Sequence, residues 1–402
     1  MNRGCRWRIA FVPALLMAAG CYSSRPNSGY DAGPDAIDAV GDDLIMPDTA
    51  PDTVPETVDV LPDSPPAAAY SLHEWGVISV GDFGSMVHGP APTSSEMIAE
   101  KPVIYLYSEE EISPLNVGVR FATGAAEDVW PPIPTGPSIA WNNMRVRPGP
   151  CEATTFPYPW DDPLCEVCNL ASCVVEEADC IEFPPAEGES YLSRLLFYAG
   201  GVDEYKPPVA ASADFVCTDI YMDPCISFNV TNDSDFTIDG AWVIYRQVAS
   251  ACYEPYMACP PVSADLAFDF IETLGPGQDT LRQISIIHYE AELDENGYPL
   301  SDVPLPQAWL DLSKDLFVEL LDKGLTEAEA AAFVNNWQTV FFGIMGDDSW
   351  GIEPLYANGA FVVYFMDRAD YDLQFQLSAS PPPRETVRVG MIYQTIELLY
   401  ER

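Results

Sequence analysis

Past residue 70 the apolar positions fall into short runs, most with period two, and only two stretches show the period of a helix. Tyr70 to Val80 reads as a first strand, and Val103 to Tyr107, bounded by Pro102, as a second. Leu115, Val117, Val119 and Phe121 alternate as a half-buried strand should. Ile139 to Arg147 and Tyr191 to Tyr198 continue in the same manner. Ile226, Phe228 and Val230 alternate up to a turn signal at Asn232-Asp233-Ser234, after which Trp242 to Val248 carries the sheet on. Gln283 to Leu293 is predicted as a strand closed by a hairpin signal at Asp294-Glu295-Asn296-Gly297. Phe361 to Met366, Tyr371 to Leu377 and Val387 to Leu398 are predicted as closing strands, with Pro381-Pro382-Pro383 in a connection. Helical spacing appears at Trp309, Leu312, Leu316 and Leu320, after Pro306 and before Gly324. Thr326-Glu327-Ala328-Glu329 is a capping box that opens a second helix. Its Phe333, Trp337 and Phe341 share one face, which is expected to pack on the core more readily than to line a ligand groove. The pattern predicts a mainly β fold over residues 70–402, antiparallel and sandwich-like, with a helical pair at 305–342. Residues 148–188 lack periodicity and read as a Pro-, Cys- and acid-rich insertion.

Upstream of residue 70 no pattern of either period exists. Residues 22–69 carry ten acids against the single Arg25, and Pro47-Asp48-Thr49, Pro51-Asp52-Thr53 and Pro55-Glu56-Thr57 repeat with period four. Repeated prolines block ladders and like charges extend a chain, so a disordered acidic Pro/Asp/Thr stalk is expected. Fully extended at ~3.1 Å per residue, it would reach on the order of 150 Å. A calcium-binding Asp array is the alternative, but the glycine turn and ligand spacing of calcium loops are missing. Before the stalk, Arg3, Arg6 and Arg8 precede an apolar run from Ile9 to Ala19, too short for the ~20 residues a spanning helix needs. Residues 1–20 thus read as a signal peptide. The ending Met17-Ala18-Ala19-Gly20-Cys21 resembles the lipobox of bacterial lipoproteins, with Ala18 where that pattern has Leu, Ile or Val. The resemblance implies lipidation of Cys21 and a membrane partner through the anchor. Tyr22 after the cysteine implies the outer membrane, on its periplasmic or surface face.

Charge and cysteine change the picture in two ways. The formal net charge of −44 opposes nucleic-acid binding, which depends on Lys and Arg neutralising phosphates. Of 11 cysteines, Cys5 leaves with the signal and Cys21 is the anchor. The other nine are disulfide candidates in an oxidising compartment: Cys151, Cys165, Cys168, Cys173, Cys180, Cys217, Cys225, Cys252 and Cys259. Nine is odd, so one thiol is left over if four bridges form. The run Cys165, Cys168, Cys173, Cys180 opens like a zinc knuckle but lacks its His and its last spacing, and disulfides are favoured over metal there. Cys217 with Cys225 and Cys252 with Cys259 are plausible local pairs.

Scattered motifs carry a second resemblance. His73-Glu74-Trp75-Gly76 opens the body, followed by Lys101-Pro102-Val103-Ile104-Tyr105 and Leu196-Phe197-Tyr198. Gly324 to Ala330 leads to Trp337, and Val387-Arg388-Val389-Gly390 comes near the end. Together they resemble an uncharacterised family of exported bacterial proteins with a His-Glu-Trp-Gly N-terminal strand, with Val77-Ile78 departing from its pattern. The resemblance implies one continuous module over residues 70–400 and carries no catalytic residues.

Candidate chemistry is sparse. The three histidines are His73, His88 and His288. His73-Glu74 is no zincin motif, and neighbours on a strand point to opposite faces. His73 and His88 are the weak metal candidates, should they meet across a hairpin. Acid pairs such as Asp161-Asp162 or Asp347-Asp348 could serve glycoside hydrolysis, but 62 acids make any pair unspecific. No phosphate loop, nucleophile elbow or dinucleotide fingerprint occurs, and no cofactor is expected. The expectation is a cell-envelope lipoprotein acting as a binding or structural module toward an envelope or extracellular ligand. A surface hydrolase for carbohydrate or peptide, and a metal-binding or redox module at Cys165 to Cys180, are the alternatives.

Overall fold

The computed structural model describes residues 68–80, 97–151, 173–184, 190–203, 205–216, 224–250, 261–290, 292, 306–343, 358–396 and 398–399. The signal, the stalk up to residue 67, Cys21, His88, Cys165, Cys168, Cys217, Cys252, Cys259 and both acid pairs lie outside them, while the last two residues assigned to the stalk, Ala68 and Ala69, open β1. Among the described residues the strands form three sheets and the fold is mostly β, as the period-two runs predict.

The largest sheet has nine strands. In spatial order these are β14 (Ile287–Glu290), β12 (Pro261–Leu274), β11 (Ile238–Ser250), β15 (Gly359–Phe365), β17 (Pro383–Ile396), β1 (Ala68–Val80), β2 (Met97–Ser108), β8 (Leu196–Val202) and β4 (Ala125–Trp130). β1 runs parallel to β17 and antiparallel to β2, so it sits inside the sheet with a partner on each side. A five-stranded sheet follows the order β16 (Phe375–Ser380), β3 (Ile112–Phe121), β5 (Ser138–Arg147), β6 (Cys180–Phe183) and β7 (Tyr191–Ser193). A four-stranded sheet follows β13 (Asp279–Ser285), β10 (Cys225–Asn232), β9 (Val209–Phe215) and β18 (Leu398–Leu399).

Two cores result, one on each face of the large sheet. Tyr70, Leu72, Ile78 and Val80 of β1 pack with the inward residues of both smaller sheets, Val117, Phe121 and Phe228 among them. Trp75 and Val77, on the opposite pleat, pack with helices α1 (Gln307–Asp322) and α2 (Glu327–Phe342). The large sheet is therefore buried on both sides, which is why its central strands are nearly continuous in apolar residues. The stripe of α2 faces inward as expected: Phe333 meets Trp75 at 5.1 Å between ring centroids, and Phe341 stacks on Tyr393 at 5.6 Å. Thr326 and Glu329 make the reciprocal capping box, and Gly343 closes the helix at φ 70°.

Several elements differ from the period-based reading. Tyr371 to Leu377 is no single strand: Asp367 caps a short helix α3 (Arg368–Gln374) by accepting from the Ala369 and Asp370 amides, and β16 begins at Phe375. This seven-residue helix buries only Tyr371, so alternation could not reveal it. The Asn232 turn does not continue one sheet. The buried Asn232 donates to the carbonyls of Phe236 and Leu274 and moves the chain from the four-stranded sheet to the nine-stranded one. Gln283 to Leu293 likewise divides at Ile286, with β13 and β14 in different sheets. The insertion at 148–188 contributes β6, and Cys180 there forms a disulfide with Cys151 across a Cα separation of 4.7 Å.

Candidate functional site

His73 and Glu74 are adjacent on β1 and face opposite cores. Toward the helices, Nδ1 of His73 donates to Oε2 of Glu329 at 3.0 Å, and both residues are buried. The same carboxylate accepts from the Thr326 amide at 2.8 Å and from the Tyr107 hydroxyl at 2.8 Å. Burial, reinforced by the charge of Glu329, pushes the Tyr107 hydroxyl up, so it stays a neutral donor. One carboxylate thus closes the capping box and ties α2 to β1 and β2. The other end of α2 is held by a buried cation. Arg246 of β11 donates to the carbonyls of Val340 and of Thr339, the latter also accepting from the Gly343 amide, at the end where the helix dipole favours a cation.

Toward the smaller sheets, Glu74 accepts from Nε of Arg388 on β17 and from the Tyr198 hydroxyl at 2.5 Å. The Tyr371 hydroxyl adds a third contact at 3.3 Å. Nη1 of Arg388 reaches Asp372 at 2.5 Å and the Phe375 carbonyl at 2.8 Å, and the guanidinium lies 4.4 Å over the Tyr371 ring. Burial alone would lower the guanidinium pKa, but Glu74, with Tyr371 and Tyr198, outweighs it and raises the net value. Arg388 is therefore a permanent cation, held buried beside Tyr198, Tyr371 and Phe375.

The motifs behind the family resemblance converge on β1. Gly76 lets Pro102 of β2 approach, since a Cβ there would lie 2.9 Å from the Pro102 Cα. Gly390 does the same for Tyr371, whose ring carbon would lie 2.8 Å from an added Cβ. Glu74, Tyr198 and Arg388 come from three separate motifs and make one buried cluster, while His73 and Glu329 join two. Sequence reasoning saw Glu329 only as a cap and did not single out Arg388 or Tyr198. A charge inside Val387-Arg388-Val389, otherwise an apolar strand, was the available signal for a buried ion pair.

Two clefts, of about 390 and 430 Å³, open beside this cluster, and Arg368, Thr386 and Arg388 line both. The remaining candidates lie apart. His288 is on the edge strand β14, five strand spacings or roughly 24 Å from β1. It sits between Asp265 at 2.6 Å and Glu290 at 3.0 Å, and hydrogen bonds to these carboxylates raise its pKa. Cys173 is buried, and its carbonyl accepts from the Tyr105 hydroxyl at 2.6 Å. Cys225 is also disulfide-bonded. Cys180, joined to Cys151, cannot serve as a thiolate ligand beside Cys165 and Cys168 while that bridge stands. Among the described residues no three His, Cys, Asp or Glu side chains are grouped to hold a metal ion.

No protein-family model matches the chain, and no curated protein is similar to it. Among solved structures, the chain has a likeness to the μ-homology domain of yeast delta-COP-I complexed with the Dsl1 WxWxV peptide. That match has a TM-score of 0.28 and 8% identity, and covers 83% of this chain and 100% of the other.

Proposed function

We propose that this chain is a lipid-anchored cell-envelope protein whose folded domain is a binding or structural module, carried away from the outer membrane by its acidic stalk. The observation that carries the reading is Met17-Ala18-Ala19-Gly20-Cys21, followed by an acidic proline repeat that cannot pack. The geometry of the signature residues supports the module. His73 is engaged by Glu329 and Glu74 by Arg388, so the residues behind the family resemblance join strands and helix together. The test is metabolic labelling of the full chain with a radioactive fatty acid in a Gram-negative host, with Cys21→Ala alongside. The expected result is label and outer-membrane fractionation for the wild type, and loss of both in the variant. An unlabelled wild-type protein released in soluble form would overturn the anchor.

A further inference from the structure

We infer that the cleft between the α1–α2 turn and β17 is a binding site for a small zwitterion bearing a carboxylate, an ammonium group and an apolar side chain, an amino acid being the simplest case. This deepens the binding reading above and rests on it. Cations are scarce in this chain, 18 against 62 acids, yet Lys323, Arg368 and Arg388 all line this one cleft. Their partners differ in a way that leaves capacity for an anion. Lys323 makes no ion pair among the described residues, and its ammonium lies 5.1 Å over the ring of Phe365. Arg368 spends Nε on Asp372 at 2.8 Å and Nη1 on the Thr386 carbonyl at 3.4 Å, which leaves Nη2 for the cleft. Arg388, whose side chain is only 1% exposed, leaves Nη2 buried without an acceptor. Its charge is met by Glu74 and Asp372 on the smaller-sheet side of β17, so the anion contacts of the cleft fall to Lys323 and Arg368.

The opposite charge is present as well. Asp367 lines the cleft but commits Oδ1 to the amides of Ala369 and Asp370. Asp239 makes no ion pair among the described residues and is exposed on β11. A carboxylate held by Lys323 and Arg368 with an ammonium at Asp239 uses both signs, whereas a simple dianion would meet repulsion there. Phe365, Met366 and Val389 give the cleft an apolar part, and about 390 Å³ is within the range of small-molecule sites.

The probe is L-leucine, titrated calorimetrically into the full chain, with N-acetyl-L-leucine lacking the ammonium and L-leucinamide lacking the carboxylate. Saturable leucine binding is expected, weakened at least about tenfold by Lys323→Ala, by Asp239→Ala and by removal of either charge from the probe. Lys323 is half-buried and Asp239 exposed, so unchanged urea midpoints will show that both variants fold. Absence of saturable leucine binding, or binding that ignores Lys323→Ala, would overturn the site. Acetyl-leucine binding as tightly as leucine would overturn the zwitterion assignment. Fatty-acid labelling at Cys21 scores the anchor separately, so either result stands without the other.

Discussion

The two faces of β1 solve the same packing problem with different chemistry. On the helix face the interface is aromatic and apolar, and polar groups sit where α2 begins and ends: Glu329 with His73 at one end, Arg246 at the other. On the face covered by the smaller sheets, a charged pair, Glu74 and Arg388, is buried within the aromatic core itself. A helix carries unpaired amides and carbonyls at its termini, and polar partners belong there. A sheet has none at its centre, so the buried carboxylate must bring its own partners, which arrive from β17 and β8. Polar contacts on the first face orient a helix, and on the second they lock three strands into one register.

The comparison breaks most directly at Arg388. Arg388→Met should destabilise the fold by about 3–5 kcal/mol, because Glu74 is left buried without its cation. Replacing both partners, Glu74→Leu with Arg388→Met, should restore most of that loss. Urea unfolding of the two variants decides it, and a single variant as mild as the double would show that the charge is not locked in. On the helix face the effect should be smaller and local. Glu329→Ala removes the acceptor of Thr326, His73 and Tyr107 and should cost about 1–3 kcal/mol. Amide exchange should rise first in α2, and uniform acceleration across the sheet would contradict a helix-end tether.

The smallest effect lies outside both faces, at His288. Its folded pKa is raised by hydrogen bonds to Asp265 and Glu290. The contribution is therefore complete below the ordinary value of about 6.5 and is lost as pH rises through the folded value. A histidine NMR titration should show a midpoint above the ordinary value, returning toward it in Asp265→Asn. Because the ring is largely exposed, the stability change should be minor beside those of Arg388 and Glu329.

The chain's local periodicities determined much of this protein. Alternation marked most strands, the capping box at Thr326 to Glu329 marked the start of α2, and the stripe of Phe333, Trp337 and Phe341 marked its inward face. The acidic repeat and the residues before Cys21 are local signals too, and the expectations they raise need no fold. What only the tertiary structure decided is which distant residues meet. The sheet change at Asn232, the division at Ile286 and the pairing of Glu74 with Arg388, 314 residues away, depend on strand order. Period two states that a side chain faces a core, but not which of the two cores or opposite which strand. His73 and Glu74 show the consequence: adjacency in sequence put them on opposite faces, and each found its partner hundreds of residues along the chain.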